Sequence, residues 1–221
     1  MSNSEFRARA RELLQNNYKP IIIFSIILMV ATGTIASIGQ SFAPVYDFKS
    51  LTLISEGNPL MNQIFNILTS LLSMFVAVSY THAYIKITKS EAIVIEKDAL
   101  FGFTHEPVRT IIASFLQSLY IALWSLLFVI PGIIKSYSYA MVQYLLVNSE
   151  LDATETIAQS RKLMHGHKMD LFFLDLSYLP EYFLGLFTLG ILWFWTGARH
   201  ATARTLFMSE RFEASAEQTT Y

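Results

Sequence analysis

Three charged side chains stand inside long apolar runs: Asp175 and Glu181 in "MDLFFLDLSYLPEYFLGLF", and Arg199 in "ILWFWTGARHATARTLF". A charge near the middle of a bilayer costs about 2.5 to 3.5 kcal/mol on insertion scales, so each needs compensation. Ion pairing or proton exchange is the chemistry open to them. Arg199 can neutralise one acid while the other faces a hydrated cavity or titrates; alternatively, a buried pair merely fixes helix register. If the two runs form an antiparallel hairpin, Asp175 lies about 10 Å from the inner boundary, Glu181 about 10 Å from the outer one, and Arg199 about 13 Å from each. Depth alone leaves the partner open.

Other constellations point away from catalysis. His82, His105, His165, His167 and His200 form no His-Glu-x-x-His set, and His165-Gly166-His167 falls at a helix end, where imidazolium suits the dipole. Ser136, Ser138 and Ser177 lack a Gly-x-Ser-x-Gly elbow, and no phosphate loop is present. Tyr137, Tyr139, Tyr144, Tyr178 and Tyr182 read as an aromatic belt or as bundle filler. The absence of cysteine excludes disulfides and thiol chemistry. No catalytic residue, cofactor or metal ligand set is expected.

The elements that position these residues follow from hydropathy. Apolar residues make up 53% of the chain and charged ones 15%, well below the quarter usual in soluble domains, which makes a membrane protein the first expectation. With a net charge of −1, no basic field argues for nucleic acid. Ser2 and Glu5 have capping-box spacing, and Phe6, Ala10, Leu13 and Leu14 recur opposite Arg7 and Arg11, so residues 1–19 predict an amphipathic helix on the inner leaflet or against the membrane domain. Pro20 to Ile38 carries no charge and is long enough for a first span; a signal peptide is its rival. Gln40 to Pro59 reads as a surface loop and Gln63 to Ile85 as a second span, while Leu100, Phe101 and Phe103 in the polar stretch after it could dip into the interface.

Thr110 to Val147 would reach about 57 Å as one helix, nearly twice a hydrocarbon core of about 30 Å. Pro131 and Gly132, followed by Lys135, predict an outer turn near Ile130 to Ile134 between a third and a fourth span. A kinked or re-entrant helix is the alternative. Asp152 and Glu155 repeat the capping spacing, and Gly166 supplies a helix end, so Asp152 to Lys168 predicts a short cytosolic helix carrying Arg161, Lys162 and His167. Met169 to Met208 must also fold back, near Gly185 and Gly190, giving spans five and six with Trp193 and Trp195 near the outer interface. The fold expected is all-α: a six-helix membrane domain over residues 20–209, amphipathic cytosolic helices, and a polar, frayed tail over 210–221.

Charge sets the orientation. Arg7, Arg9, Arg11 and Lys19, then Lys86, Lys89, Lys97 and Arg109, then Arg161, Lys162 and Lys168, and finally Arg204 and Arg211 fall on one face of a six-span arrangement, with Lys49 and Lys135 on the other. The positive-inside rule puts both termini in the cytosol.

The segments "IPGIIKSYSYAMVQYLL", "SRKLMHGHKMDLFFLDLSYL" and "LGLFTLGILW" resemble, in this order, the bacterial integral-membrane family known as domain of unknown function 975, over a stretch from the Arg-rich start to about Phe207. The resemblance implies a multi-pass protein of a bacterial cytoplasmic membrane and carries no catalytic residues. The expectation is a non-enzymatic accessory, immunity-type or envelope-homeostasis factor. Its partners would be the lipid bilayer and a membrane protein bound through the cytosolic helices, with no nucleic acid. The alternative is a small transporter or channel with a hydrated site at Asp175, Glu181 and Arg199; broken spans favour it, and the short chain without inverted repeats does not. An intramembrane hydrolase would need a nucleophile and base that are not found.

Overall fold

The computed structural model describes residues 1–15, 17–47 and 52–219. Helix α1 (Asn3–Leu14) opens with the expected capping box, the Ser2 hydroxyl accepting the Glu5 amide while the Glu5 carboxylate accepts the Ser2 amide. After a short turn, α2 (Tyr18–Gln40) runs 23 residues without an acid or base beyond Lys19. It exposes Ile23, Ile26, Ile27, Met29 and Val30, apolar side chains facing outward as on a lipid-facing helix. The segment read as a loop holds a small antiparallel hairpin, β1 (Val45–Asp47) and β2 (Thr52–Ser55), with Tyr46 opposite Leu53. Lys49, counted on the outer face, lies outside the described residues.

Asn58 caps α3 (Pro59–Thr88), which returns antiparallel along α2: the Tyr80 hydroxyl donates to the Ser25 carbonyl, and Phe24 meets the Tyr80 ring edge-on. Helix α4 (Ile95–Thr104) folds back onto α3 through buried Ser79, whose hydroxyl donates to the Ala99 carbonyl and accepts the Gly102 amide. Phe103 packs on Phe75 and Phe101 stacks on His82.

Helices α5 (Pro107–Leu127) and α6 (Val129–Ser138) form the hairpin expected at the Pro-Gly pair, but the chain reverses earlier. Phe128 alone is extended, with φ −159° and ψ 146°, and Pro131 and Gly132 belong to the helix that follows. Pro131 is tolerated because it sits in the first turn, where amides have no partner within the helix. Gly132 is required by contact: a Cβ there would lie 2.9 Å from both Cα and Cβ of Ser125 on α5. After a break at residues 139–141 the chain continues as α7 (Val142–Asn148), whose last carbonyls, with that of Ser149, accept from Arg109 of α5.

Helix α8 (Ala153–Leu163) has the second capping box, Asp152 with Glu155, and Gly166 takes φ +84° in the turn into α9 (Lys168–Phe187). The turn to α10 (Ile191–Thr219) lies at residues 188–190, with Gly190 at φ +84°; Gly185 is still helical, under the ring of Trp193. The expected frayed tail is helical through Thr219, with Phe212 packed on Tyr144. Helix α1 lies antiparallel on α10: Met1 meets Glu210 and Phe6 meets Phe207. One core joins Phe6 and Ala10 to Tyr144, Leu171, Leu174, Tyr178 and Ala203.

Among the described residues three helices, α2, α3 and α5, are long and apolar enough to cross a membrane, and the expectation of six such spans is corrected accordingly. In place of the fourth, α6 and α7 are about 15 and 10 Å long. Helix α9 has the length, but it carries Lys168, Asp170, Asp175 and Glu181; α10 carries Arg199, Arg204, Glu210 and Arg211.

Two outcomes test this packing. Gly132→Ala should lower the thermal midpoint in detergent, by about 1 to 3 kcal/mol of overpacking, and Ser125→Gly in the same chain should recover part of that loss. At Asp152, the Glu155 amide and then the Thr154 hydroxyl hold the carboxyl below its usual range. Its contribution is therefore present above the ordinary Asp value and lost as pH falls through the lower folded one. Asp152→Ala should speed amide exchange in α8 several-fold at neutral pH, and the difference from wild type should shrink as that folded value is passed.

Candidate functional site

Helices α1, α9 and α10 bring the suspected charges together. Pro180 lies inside α9, where its ring and missing amide loosen the turn below it. The nearby Ser177 carbonyl accepts from Arg7 Nη1 at 2.7 Å. The other guanidinium arm of Arg7 reaches Glu181 Oε1 at 2.6 Å, and Arg199 Nη2 reaches Glu181 Oε2, also at 2.6 Å. Arg11 adds a longer contact at 3.9 Å, and the Thr196 hydroxyl lies 3.5 Å from Oε2. Glu181 therefore holds two arginines at once, with its side chain 15% exposed.

Asp175 is not left to an empty cavity. His200 Nε2 lies 2.8 Å from Oδ1 and Arg204 Nη1 lies 3.4 Å from Oδ2, while the Tyr182 hydroxyl is 3.0 Å from His200 Nδ1. A neutral imidazole protonated at Nε2 satisfies both neighbours, donating to Asp175 and accepting from Tyr182. The stacked rings of Tyr178 and His200 join the two acids into one cluster, with Arg7 over the far partner, Tyr178, at 4.8 Å.

Of the three residues singled out, Arg199 and Glu181 form a pair, and Asp175 belongs to His200 and Arg204. The acid expected to face a hydrated cavity or to titrate is Asp175, and these two side chains are its neighbours. Glu181 is held by Arg7 and touched by Arg11, which both precede α2, so it lies beside the start of the first apolar helix. From Glu181 to Phe187, the end of α9, is only about 9 Å. The apolar tip beyond, with Phe187 87% and Leu189 94% exposed, is what projects.

The other expected sites separate. Lys135 does not lie opposite the basic loop: it lines one cleft with Ser138, Arg161, Lys162, His165 and Lys168. His167 pairs with Asp170 at 3.1 Å, and Asp152 and Glu155 are spent on the helix cap. Among the described residues, no group of His, Asp and Glu could hold a metal. An open groove of about 550 Å³ runs between α3, α7 and α10, lined by Tyr80, Gln143 and Arg204 but by none of the three suspected charges. A separate buried acid, Asp98, is held by Lys86 at 3.0 Å and by His82 at 3.3 Å, and accepts the Val94 amide at 2.7 Å.

Residues 126–210 match the family model described as "Protein of unknown function (DUF975)". That segment, less than half of the chain, is similar to the family. It contains α9, the turn, and the part of α10 that carries Arg199, His200 and Arg204; Arg7 lies outside the matched residues. No curated protein and no solved structure matches the chain.

Sequence reasoning missed Arg7, Tyr182, His200 and Arg204. His200 and Arg204, four apart, share a helix face, as do Tyr178 and Tyr182, a signal that helical spacing carried. Nothing local announced Arg7, which is 174 residues from its partner. Glu181→Gln should lower stability by about 3 kcal/mol, the scale for unpairing a buried charge. Exchanging the partners, Glu181→Arg with Arg199→Glu, should recover only part of it, because Arg7 then faces an arginine; adding Arg7→Glu should recover more. Equal melting of all these variants in detergent would remove the pairing from the account.

Proposed function

We propose that the chain is a multi-pass protein of a bacterial cytoplasmic membrane that works without catalysis, as an accessory, immunity-type or envelope-homeostasis factor. The observation that carries this reading is the full commitment of Glu181 to Arg7 and Arg199, with Asp175 committed to His200 and Arg204. The charges that would serve transport or proton chemistry are used to fasten three helices. Helices α2 and α3 cross as an antiparallel pair, and α5 also has the composition for a crossing. The α9–α10 hairpin enters the hydrocarbon by its apolar tip instead of traversing it. The arginines of α1, ahead of the first span, put that end in the cytosol under the positive-inside rule. On this reading the exposed side of α8 is offered to a membrane-protein partner.

A small transporter or channel is the alternative, and the groove beside α10 favours it. Purified full-length protein in liposomes decides between them. The accessory reading expects no ion flux above empty liposomes and a stable companion on native gels of mildly solubilised membranes. Flux that Glu181→Gln or Arg204→Gln abolishes would replace it with transport.

A further inference from the structure

The carboxylates buried in this protein have cationic partners, but one group of cations has no carboxylate. Lys135 from α6, Arg161 and Lys162 from α8, His165 from the turn and Lys168 from α9 line a cleft of about 590 Å³, with Ser138 and Ala158 completing its wall. No acid lines it, and among the described residues none of the five basic side chains is in an ion pair. Glu155 lines a neighbouring hollow with Lys162 and also serves the cap of α8. The elements that hold the cleft open are fixed independently of its charge: the Ser160 hydroxyl donates to the Ser138 carbonyl at 3.1 Å, and Tyr137 packs edge-on against Phe172.

Holding four or five like charges in one cleft is unfavourable unless an anion offsets them. Burial, and then the charges of Arg161 and Lys168, push Lys135 below the usual lysine range. The cleft also has an apolar annex. A second hollow of about 320 Å³ shares Lys135, Ala158 and Arg161 with it and is walled by Tyr120, Trp124, Tyr139 and Ile157. Lys135 Nζ lies 4.5 Å above the Trp124 ring, and Leu123, Trp124 and Ile134 beside it are exposed. Basic groups converging next to an open aromatic shelf suit an amphiphile more than a free ion. Arginine and lysine together match a phosphate, the first by paired donors and the second as a point charge.

We propose that this cleft binds the phosphate of an anionic lipid headgroup between Lys135, Arg161, Lys162 and Lys168, with an acyl chain lying along Trp124 and Tyr120. Basic pockets between helices at a membrane surface are suited to such headgroups. The inference depends on the membrane reading but not on the accessory role.

The test uses full-length protein in neutral detergent with three additions: phosphatidylglycerol, phosphatidylcholine and sodium phosphate. Thermal midpoint and lipid retained in native mass spectra are the readouts. Phosphatidylglycerol should raise the midpoint and remain bound, phosphatidylcholine should do neither, and sodium phosphate should act only weakly. Arg161→Gln with Lys168→Gln should weaken phosphatidylglycerol at least about tenfold, the scale of losing a charge-assisted contact. Lys162→Gln, at an exposed helical position, gives a second variant if the first fails to fold. Trp124→Leu should weaken the lipid while leaving the response to sodium phosphate unchanged. Retention of phosphatidylglycerol that is indifferent to these substitutions would overturn the site. A response to sodium phosphate as large as that to the lipid would overturn the lipid as its source.

Discussion

One carboxylate gripped by two guanidinium groups holds the C-terminal part of this protein to its N-terminus. Glu181 projects from α9 next to a proline-loosened turn, Arg199 comes from α10, and Arg7 reaches in from α1 and takes the Ser177 carbonyl as well. Each contact satisfies charge that would otherwise be buried at a cost, and the excess positive charge stays close to the end of α1, beside the start of the first apolar helix. The hydrophobic contacts follow the same alignment. With Arg7 placed on Glu181, Phe6 and Ala10 fall on the buried face of α1 against α9 and α10, and Leu14 on the same face against α2 and α3. A shift of one residue would turn these three away and bring charged neighbours inward.

What could be read from the sequence depended on whether the cause was local. Both capping boxes, Ser2 with Glu5 and Asp152 with Glu155, were legible because the two partners lie within one turn. Helix α2 was legible because its uncharged length is itself the signal. Both hairpins were legible as well, since rise per residue alone makes the overlong runs double back. Their depth was another matter. A reversal at Phe128 or at residues 188–190 reveals that the chain turns, but the turn alone does not say how far from the headgroups it does so. What each hairpin packs beside comes from tertiary contacts: Arg7 on Glu181 for one, and Lys135 beside Arg161 and Lys168 for the other.

The pairing of Asp175 shows the same limit from the other side. Counting charges offered Arg199 as partner to either acid, and rise per residue ranked them equally. Histidine was set aside because no metal spacing surrounded it, yet His200 is the closest basic neighbour Asp175 has, oriented by Tyr182. A histidine beside an arginine on an otherwise apolar helix face reads as two isolated polar residues until the facing helix supplies an acid and a phenol.

Charge in this protein is not distributed for balance, despite a net of −1. Buried Asp98 and half-buried Asp175 and Glu181 each gather two or more cationic or titratable partners, whereas the cleft between α6, α8 and α9 gathers cations alone. A fold that had needed those cations only for orientation in a membrane had no cause to converge them, since scattered lysines and arginines on the same face satisfy the positive-inside rule equally well. Convergence adds repulsion, and Lys135, 4.5 Å over the Trp124 ring, bears part of that penalty. The arrangement makes physical sense when something negative, wider than a single water and bordered by apolar matter, completes it.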